Sequence, residues 1–572
     1  MSSTKLELTW FDKEKEINVE PRILLKSNEL SYKKEVFNLF DNSSFYENVL
    51  IHGDNLFGLK SIETKYTNSI KCVYIDPPYN TGSAFERYDD NLEHSTWLSL
   101  MKPRLEIIRK LLRDDGVIFI QIDNNEMAYL KVLCDEIFGR NNHLSTITIK
   151  VKAPAGVGQE SFLFDVNEYI LVYAKKIDQC KLYPHKIKED LSDNVYKQYS
   201  SLIKFDIETI HQIGTLHSER NGDIDLMKID SFNISRISQD SKNSAFYAQN
   251  RDFIIRTTNP QGGLMKKLLP QIPREGLYKI SYKPSKGNKA DSMIEYWFLN
   301  GSLIVWLKDS SIIENGEIYK LNKMTNLWTD NFFQGIANEG NVTLKAGKKP
   351  EFLIKRIFDL STKEGDLVLD SFLGSGTTCA VAHKMRRRWI GIEMGNQVYD
   401  LCKSRLDLII NGNDASGITK AVNWTGGGGY TFYELAPTLI NEDTFGEPII
   451  NKEYSADMLA SAVALHEGFK YCPDPSCFWK QSKSNENSYL FVTTNHLTVE
   501  LLKEIENKMA DDEFLLIACK SCEKNCLEYS DKIKVKKIPQ MLLGKCEFGK
   551  DNYNLNIVNP PAYDDEEDEE NE

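Results

Sequence analysis

No run of about eighteen consecutive apolar residues occurs in this sequence, which excludes a transmembrane helix. Cysteine is sparse as well. Eleven in a chain of 572 residues are not a disulfide framework, and a reducing cytoplasm is the expected setting. The first residues, Met1-Ser-Ser-Thr-Lys-Leu-Glu-Leu, lack the basic and apolar segments of a signal peptide. Net positive charge is missing too. The chain carries −13, which argues at first against a nucleic-acid partner. That total misleads, because the tail Asp564–Glu572 holds eight of the acids and leaves −5 for the rest. A run of this kind is expected to be solvated and disordered. With 41% apolar and 27% charged residues, what remains reads as three or four soluble globular domains.

What is present is a chemically loaded strand end. Cys72-Val73-Tyr74-Ile75 fits a buried strand, and Asp76-Pro77-Pro78-Tyr79 follows it directly. Neither proline has an N–H for a ladder, so the strand stops there. In open α/β sheets ligands sit at the carboxyl ends of strands. A carboxylate, backbone carbonyls and an aromatic face are thereby held within four residues. Such a set suits a planar exocyclic amine, whose lone pair is delocalised into its ring. Acceptors on its two hydrogens raise electron density on nitrogen, and an aromatic face holds the ring. The plainer alternative is a proline-capped strand end with a solvated Asp.

Around this motif, strands and helices alternate. Asn48–His52 reads as a strand running into Gly53-Asp54, followed by a short helix near 56–62. Ser95 can cap a helix carrying Trp97, Leu98, Met101, Leu105, Ile108 and Leu112, with Pro103 kinking it or marking its first turn. Val117–Ile122 is a buried strand. Met127, Leu130, Leu133 and Ile137 mark a helix, and strands follow at 146–151 and 169–173. The alternation predicts a mostly parallel sheet with helices on both faces. From about 176 to 335 the apolar runs shorten. Eight Lys or Arg between Arg256 and Lys289 face one acid, Glu275, with Tyr278 and Tyr282 interleaved. This is either a loop-rich solvated insertion or a DNA-contacting domain whose cations neutralise phosphates.

Helical periodicity returns after Lys349-Pro350, at Phe352, Leu353, Ile357 and Leu360. The strand Asp366–Asp370 enters Ser371-Phe372-Leu373-Gly374-Ser375-Gly376-Thr377-Thr378, a Gly-rich turn into a helix. A third dinucleotide glycine and a Gly-Lys-Ser/Thr sequence are both lacking, so a phosphate cradle is a poor fit. The next strand, Arg388–Ile392, ends at Glu393, placed to accept from ribose hydroxyls. A Gly turn plus an acid, without a phosphate cradle, suits a nucleoside-like cofactor such as S-adenosylmethionine. Gly426–Gly429 reads as a linker or turn, and helices and strands beyond it form a small α/β domain. Cys472, Cys477, Cys519, Cys522 and Cys526 invite a zinc reading, but the first pair is loosely spaced; free thiols are expected and no metal site is assigned.

Asp76-Pro-Pro-Tyr79 resembles the catalytic motif of DNA amino-methyltransferases. The order of catalytic motif, basic insertion and glycine motif resembles the beta arrangement of adenine-N6 enzymes. Gly53-Asp-Asn, Asp76 to Gly82, Gln121-Ile-Asp-Asn-Asn-Glu126 and Glu168-Tyr-Ile-Leu-Val-Tyr-Ala-Lys175 further resemble the modification (Mod) subunit of type III restriction–modification systems. One departure is Asn167, where that family often has His. The resemblance implies an α/β, Rossmann-like S-adenosylmethionine-dependent methyltransferase sheet. It divides the chain into an extension (1–45), a catalytic half (46–175), a target-recognition insertion (176–338), a cofactor half (339–415), a C-terminal α/β dimerisation or partner-binding domain (416–563) and the acidic tail (564–572).

It also implies roles. Asp76 and the Pro77 carbonyl would accept from the adenine amine, Tyr79 would stack and Pro78 would shape the pocket. Asp370, Phe372, Gly374, Ser375, Gly376 and Thr377 would line the cofactor, Glu393 would hold its ribose and Asp54 would approach its adenine. Lys266, Lys267, Arg274, Lys279, Lys283, Lys286 and Lys289 would contact DNA. The expected partners are duplex DNA, a second copy of the chain and a restriction (Res) subunit, with base flipping to expose the target. Alternatives are cytosine-N4 or stand-alone DNA methylation, a non-catalytic DNA-recognition subunit, and a Rossmann-type dehydrogenase or nucleotide-binding module.

Overall fold

Short β-branched runs, buried on both faces, build one ten-stranded sheet in the computed structural model of the chain. The structure describes residues 7–10, 13–14, 17–34, 47–80, 94–152, 163, 165–183, 186–218, 222–259, 267–284, 292–343, 347–484, 487–550 and 553. They fall into two compact units, 184–325 and the remainder.

The larger unit opens with β1 (Leu24–Lys34), β2 (Asn48–His52), α1 (Asn55–Tyr66), β3 (Ile70–Ile75), α2 (His94–Leu111), β4 (Leu112–Ile122), α3 (Met127–Cys134), β5 (His143–Lys150) and β6 (Asn167–Ala174). It resumes with β7 (Leu327–Trp328), α4 (Glu351–Ser361), β8 (Leu367–Asp370), α5 (Thr377–Lys384), β9 (Arg388–Glu393), α6 (Ser404–Asn411) and β10 (Gly428–Leu435). Sheet order is β1-β10-β2-β9-β8-β3-β4-β6-β5-β7. From β10 to β4 all neighbours are parallel, while β1 and β6 run antiparallel to theirs. Val73 and Ile75 of β3 pack with Leu56, Trp97, Met101 and Leu130 from α1, α2 and α3. Cys72 points the other way and its sulfur accepts from Ser361 of α4 at 3.4 Å. Helices therefore cover both faces.

The decisive pairing is β3 with β8, registered Cys72 to Val368 and Val73 to Leu369. From β3 the chain goes to β4 on one side, and from β8 to β9 on the other. The order reverses between them, and such a switch point opens a crevice at the strands' carboxyl ends.

The structure departs from several expectations. Part of the 1–45 extension is β1, an edge strand paired to β10, and its half-exposed pattern hides it from a periodicity reading. Ser95 is not a cap, since helix is already present at His94, and Pro103 lies inside one continuous α2. The helix after Gly53-Asp54 runs twelve residues, longer than expected. Gly428 and Gly429 already belong to β10 and not to a linker or turn. Residues beyond β10 form a five-stranded sheet that belongs to the larger unit, because Ile23 and Ala436 share a core with Leu459, Val463 and Leu490. In it Cys519 and Cys526 are buried, and no metal-holding group of His, Cys, Asp or Glu occurs among the described residues.

The smaller unit, 184–325, is narrower than the expected insertion. It is strand-built where loops had been one reading, with eight antiparallel strands and a separate three-stranded sheet. Tyr278 and Tyr282 are buried in its core with Ile280, following strand alternation. The acidic tail lies outside the described residues.

Candidate active site

β3 ends at Ile75, and the prolines turn the chain along the sheet edge. The Pro78 carbonyl accepts from the Trp97 indole N–H at 2.8 Å, tying this turn to α2. Asp76 then sits among polar side chains. The Tyr79 hydroxyl lies 2.7 Å from Asp76 Oδ1 and 2.9 Å from Glu168 Oε2, so two carboxylates share its one proton. Glu168 also accepts from the Gln121 amide, whose oxygen accepts from Tyr74 at 2.6 Å. Lys349 Nζ is 2.9 Å from Asp76 Oδ2 and 4.0 Å from Glu168 Oε2, and stands over the Tyr79 ring at 4.8 Å from its centroid. Burial pushes the Asp76 carboxyl up, Lys349 pulls it back and the Glu168 charge pushes it up again; the net lies above the ordinary carboxylate value.

One strand away is the Gly turn. Asp370 holds it from inside, accepting from Phe372 N at 2.9 Å and from the Thr378 hydroxyl at 2.5 Å. Burial raises the Asp370 carboxyl to about 7. Gly374 (φ 58°) and Gly376 (φ 81°) both need the left-handed region. Their surroundings differ. A Cβ on Gly376 would press on Cys402 Cα at 3.2 Å, whereas one on Gly374 would meet nothing within 4 Å. Gly376 thus serves packing, and Gly374 leaves open space above its Cα, its N–H and carbonyl being engaged by Glu393 and Cys402. The Ser371 hydroxyl beside this turn is buried with no hydrogen-bond partner among the described residues. Open space at Gly374 and an orphaned hydroxyl fit a polar, uncharged group such as a nucleoside.

The acid that ends β9 is already engaged. Glu393 accepts from Gly374 N at 2.7 Å, Gly395 N at 2.8 Å and Gln397 Nε2 at 2.8 Å. It therefore shapes the Gly374 turn, and a ribose would add to or replace these donors. Thr377 is likewise structural. Its hydroxyl donates to the Lys349 carbonyl at 3.1 Å and accepts from Arg405 at 2.8 Å. This links the Gly turn to the residue whose ammonium meets Asp76. Ser375 is buried beside it, 3.3 Å away through the hydroxyls.

Asp54 does not reach toward the turn. One oxygen caps α1 through Leu56 N (2.8 Å) and Phe57 N (3.4 Å). The other is 3.3 Å from Arg104 and accepts from Tyr553 N at 3.2 Å. The neighbour Asn55 makes the connection instead, donating to the Ser371 carbonyl at 2.8 Å. None of Asn55, Gln121, Glu168 and Lys349 is among the site residues expected from the sequence. Asn55, Gln121 and Glu168 do lie in segments that resemble the Mod family, whereas Lys349 does not.

Among the basic residues of the smaller unit, Lys267, Arg274 and Lys283 are exposed. Lys279 is otherwise engaged, pairing with Glu295 at 2.5 Å and standing over Trp297, because its strand neighbour supplies both. Arg256 lies over Tyr199 inside the unit. Lys266, Lys286 and Lys289 lie outside the described residues.

The model of the N6/N4 methyltransferase family, described as DNA methylase, matches residues 70–404. The chain is 39% identical over 68% of its length to a probable type III restriction–modification enzyme HindVI Mod subunit of Haemophilus influenzae, covering 54% of that protein. It is 28% identical over 67% of its length to the type III EcoPI Mod subunit of Escherichia phage P1, covering 62% of it. The chain thus spans little more than half the length of these relatives. It is also 28% identical over 64% of its length to the type II methyltransferase M.KpnI of Klebsiella pneumoniae, covering 84% of that protein.

Proposed function

This chain belongs to the N6/N4 DNA methylase family, and from that premise we propose that it methylates the N6 amine of adenine in duplex DNA, as the modification and recognition subunit of a type III restriction–modification system. The carrying observation is that Asp76-Pro-Pro-Tyr79 and the Gly374 turn occupy adjacent strand ends at one switch point. S-adenosylmethionine would supply an electrophilic methyl group on a sulfonium that is already a good leaving group. The chain's own work is positioning and acceptor electrostatics. Asp76 and the Pro77 carbonyl accept from the amine, Tyr79 stacks on the flipped base, and Pro78 shapes the pocket. Phe372, Gly374, Ser371 and Glu393 hold the donor. Duplex stacking hides the amine, so the base must leave the helix first.

The unit 184–325 is the DNA-contacting insertion in this reading, and the residues beyond β10 serve pairing with a second copy or with a restriction subunit. Replacing Lys267, Arg274 and Lys283 together by Ala is expected to weaken DNA binding and flatten its salt dependence, lowering the log–log slope by about one for each phosphate no longer neutralised. Filter binding across a salt series checks this. No helix of the described residues is long and apolar enough to cross a membrane, and a cytoplasmic enzyme fits.

The test is single-molecule sequencing of DNA from cells with and without this gene, joined to nucleoside analysis. N6-methyladenine at one recurring motif is expected. N4-methylcytosine at that motif would move the assignment to the cytosine branch, and an unmodified genome would remove it.

A further inference from the structure

Within the reaction just proposed, the acceptor site is not vacant. Lys349 Nζ sits on Asp76 Oδ2 at 2.9 Å and over the Tyr79 ring at 4.8 Å from its centroid. A nitrogen donating to Asp76 across the face of Tyr79 is what a stacked adenine would itself present. The two cannot be there together. We propose that Lys349 is a placeholder in the acceptor site: its ammonium stands in for the target amine, occupies Asp76 and the face of Tyr79 in the free enzyme, and is displaced when the base enters. This rests on the adenine-methylation reading above.

The local backbone suits a side chain that moves while its main chain stays. The Lys349 carbonyl is held by Thr377 at 3.1 Å, and Pro350 precedes the first turn of α4. The adjacent Lys348 is locked by the carbonyls of Ala337, Glu339 and Val342 at 3.0, 2.5 and 2.7 Å. Lys349 has flexible methylenes between a fixed backbone and its ion pair with Asp76. Without an ammonium there, Asp76 would face Glu168 of β6 and Asp370 of β8, with the Tyr79 and Tyr74 hydroxyls on its own segment among the described residues. Asp123, after β4, also draws on Lys349.

Displacement has a kinetic signature. An occupied site lowers apparent affinity by the fraction of enzyme that is open. Lys349→Met keeps the length and removes the charge. It is expected to lower KM for DNA by about tenfold, with kcat within about twofold. In the free variant Asp76 loses its cation, so the acid limb of kcat/KM moves to higher pH. In the substrate complex Lys349 has already left, so the acid limb of kcat stays where the wild type has it.

The experiment measures transfer of labelled methyl from S-adenosylmethionine to genomic DNA from cells lacking the gene, using the full chain across pH. An unchanged or raised KM, or acid limbs that move together, would overturn the placeholder role. Lys349→Arg covers the case in which the Met variant does not fold. A bidentate guanidinium should hold Asp76 more tightly and raise KM; a KM equal to wild type would also overturn the proposal. Absence of transfer by the wild type would instead count against adenine methylation itself.

Discussion

Asp76→Ala is expected to reduce methyl transfer to DNA by about 10³-fold, while S-adenosylmethionine binding stays within about twofold of wild type. The difference follows from where Asp76 points. Its oxygens meet Tyr79 and Lys349, whereas the Gly374 turn is held by Asp370 and Glu393. The adenine amine is a poor nucleophile, and positive charge develops on it as the methyl arrives. A preorganised carboxylate stabilises that charge only in the transition state, so its removal lowers kcat more than it weakens binding. Asp76→Asn should fall between, keeping a neutral acceptor oxygen and losing the charge. Because burial raises the Asp76 carboxyl, the ionised acceptor is lost as pH falls through that raised pKa. Activity should therefore fade on the acid side at a pH above the ordinary carboxylate range. Parallel titration of cofactor binding and methyl transfer separates the two effects.

Glu351→Ala is expected to destabilise the larger unit by about 3–5 kcal/mol, because it breaks a buried ion network. Glu351 accepts from Lys384 at 2.7 and 2.9 Å, from Arg405 at 2.7 Å and from Ile418 N at 3.0 Å. Lys384 also pairs with Asp414 at 2.5 Å. Glu351, Lys384 and Arg405 have fully buried side chains. Without Glu351, Lys384 keeps its pair with Asp414, while Arg405 loses its direct ion pair. Arg405 reaches Thr377 at 2.8 Å, so the loss passes to the Gly turn, and cofactor affinity should fall as well. Burial works to raise the Glu351 carboxyl, but Arg405 and Lys384 hold it below its ordinary value. A depressed carboxylate contributes stability at pH above its unfolded pKa and loses it as pH falls through the folded one. Urea unfolding should be followed by cofactor binding as well as fluorescence, because a chain of two units need not unfold in one step.

Asp76 and Glu351 differ widely in how far the sequence reveals them. Asp76 was readable because a buried β-branched run can end in Asp-Pro-Pro in few other ways, and the switch point then followed from two such strand ends. Lys349 carries no local signature, since a Lys-Pro before a helix reads only as a helix start. Glu351, Lys384, Arg405 and Asp414 look like surface residues, because charge is rarely buried, and only the fold reveals that they pair. Asp370, Thr377 and Glu393 were expected to face a cofactor and mainly hold the turn. Sequence does not separate a group that touches a ligand from one that shapes the loop around it. Tyr278 and Tyr282 went into the core for a simpler reason: strand alternation puts them beside Ile280.

In the proposed reaction, acceptor and donor sites share one crevice. A single molecule can span both: adenine joined through its N6 by a two-carbon linker to the aza nitrogen of an S-adenosylmethionine analogue. Its affinity for the full chain, measured by calorimetry, should exceed that of the unlinked analogue and fall on both Asp76→Ala and Gly374→Val. Binding no tighter than the unlinked analogue, and indifferent to Asp76→Ala, would contradict the account.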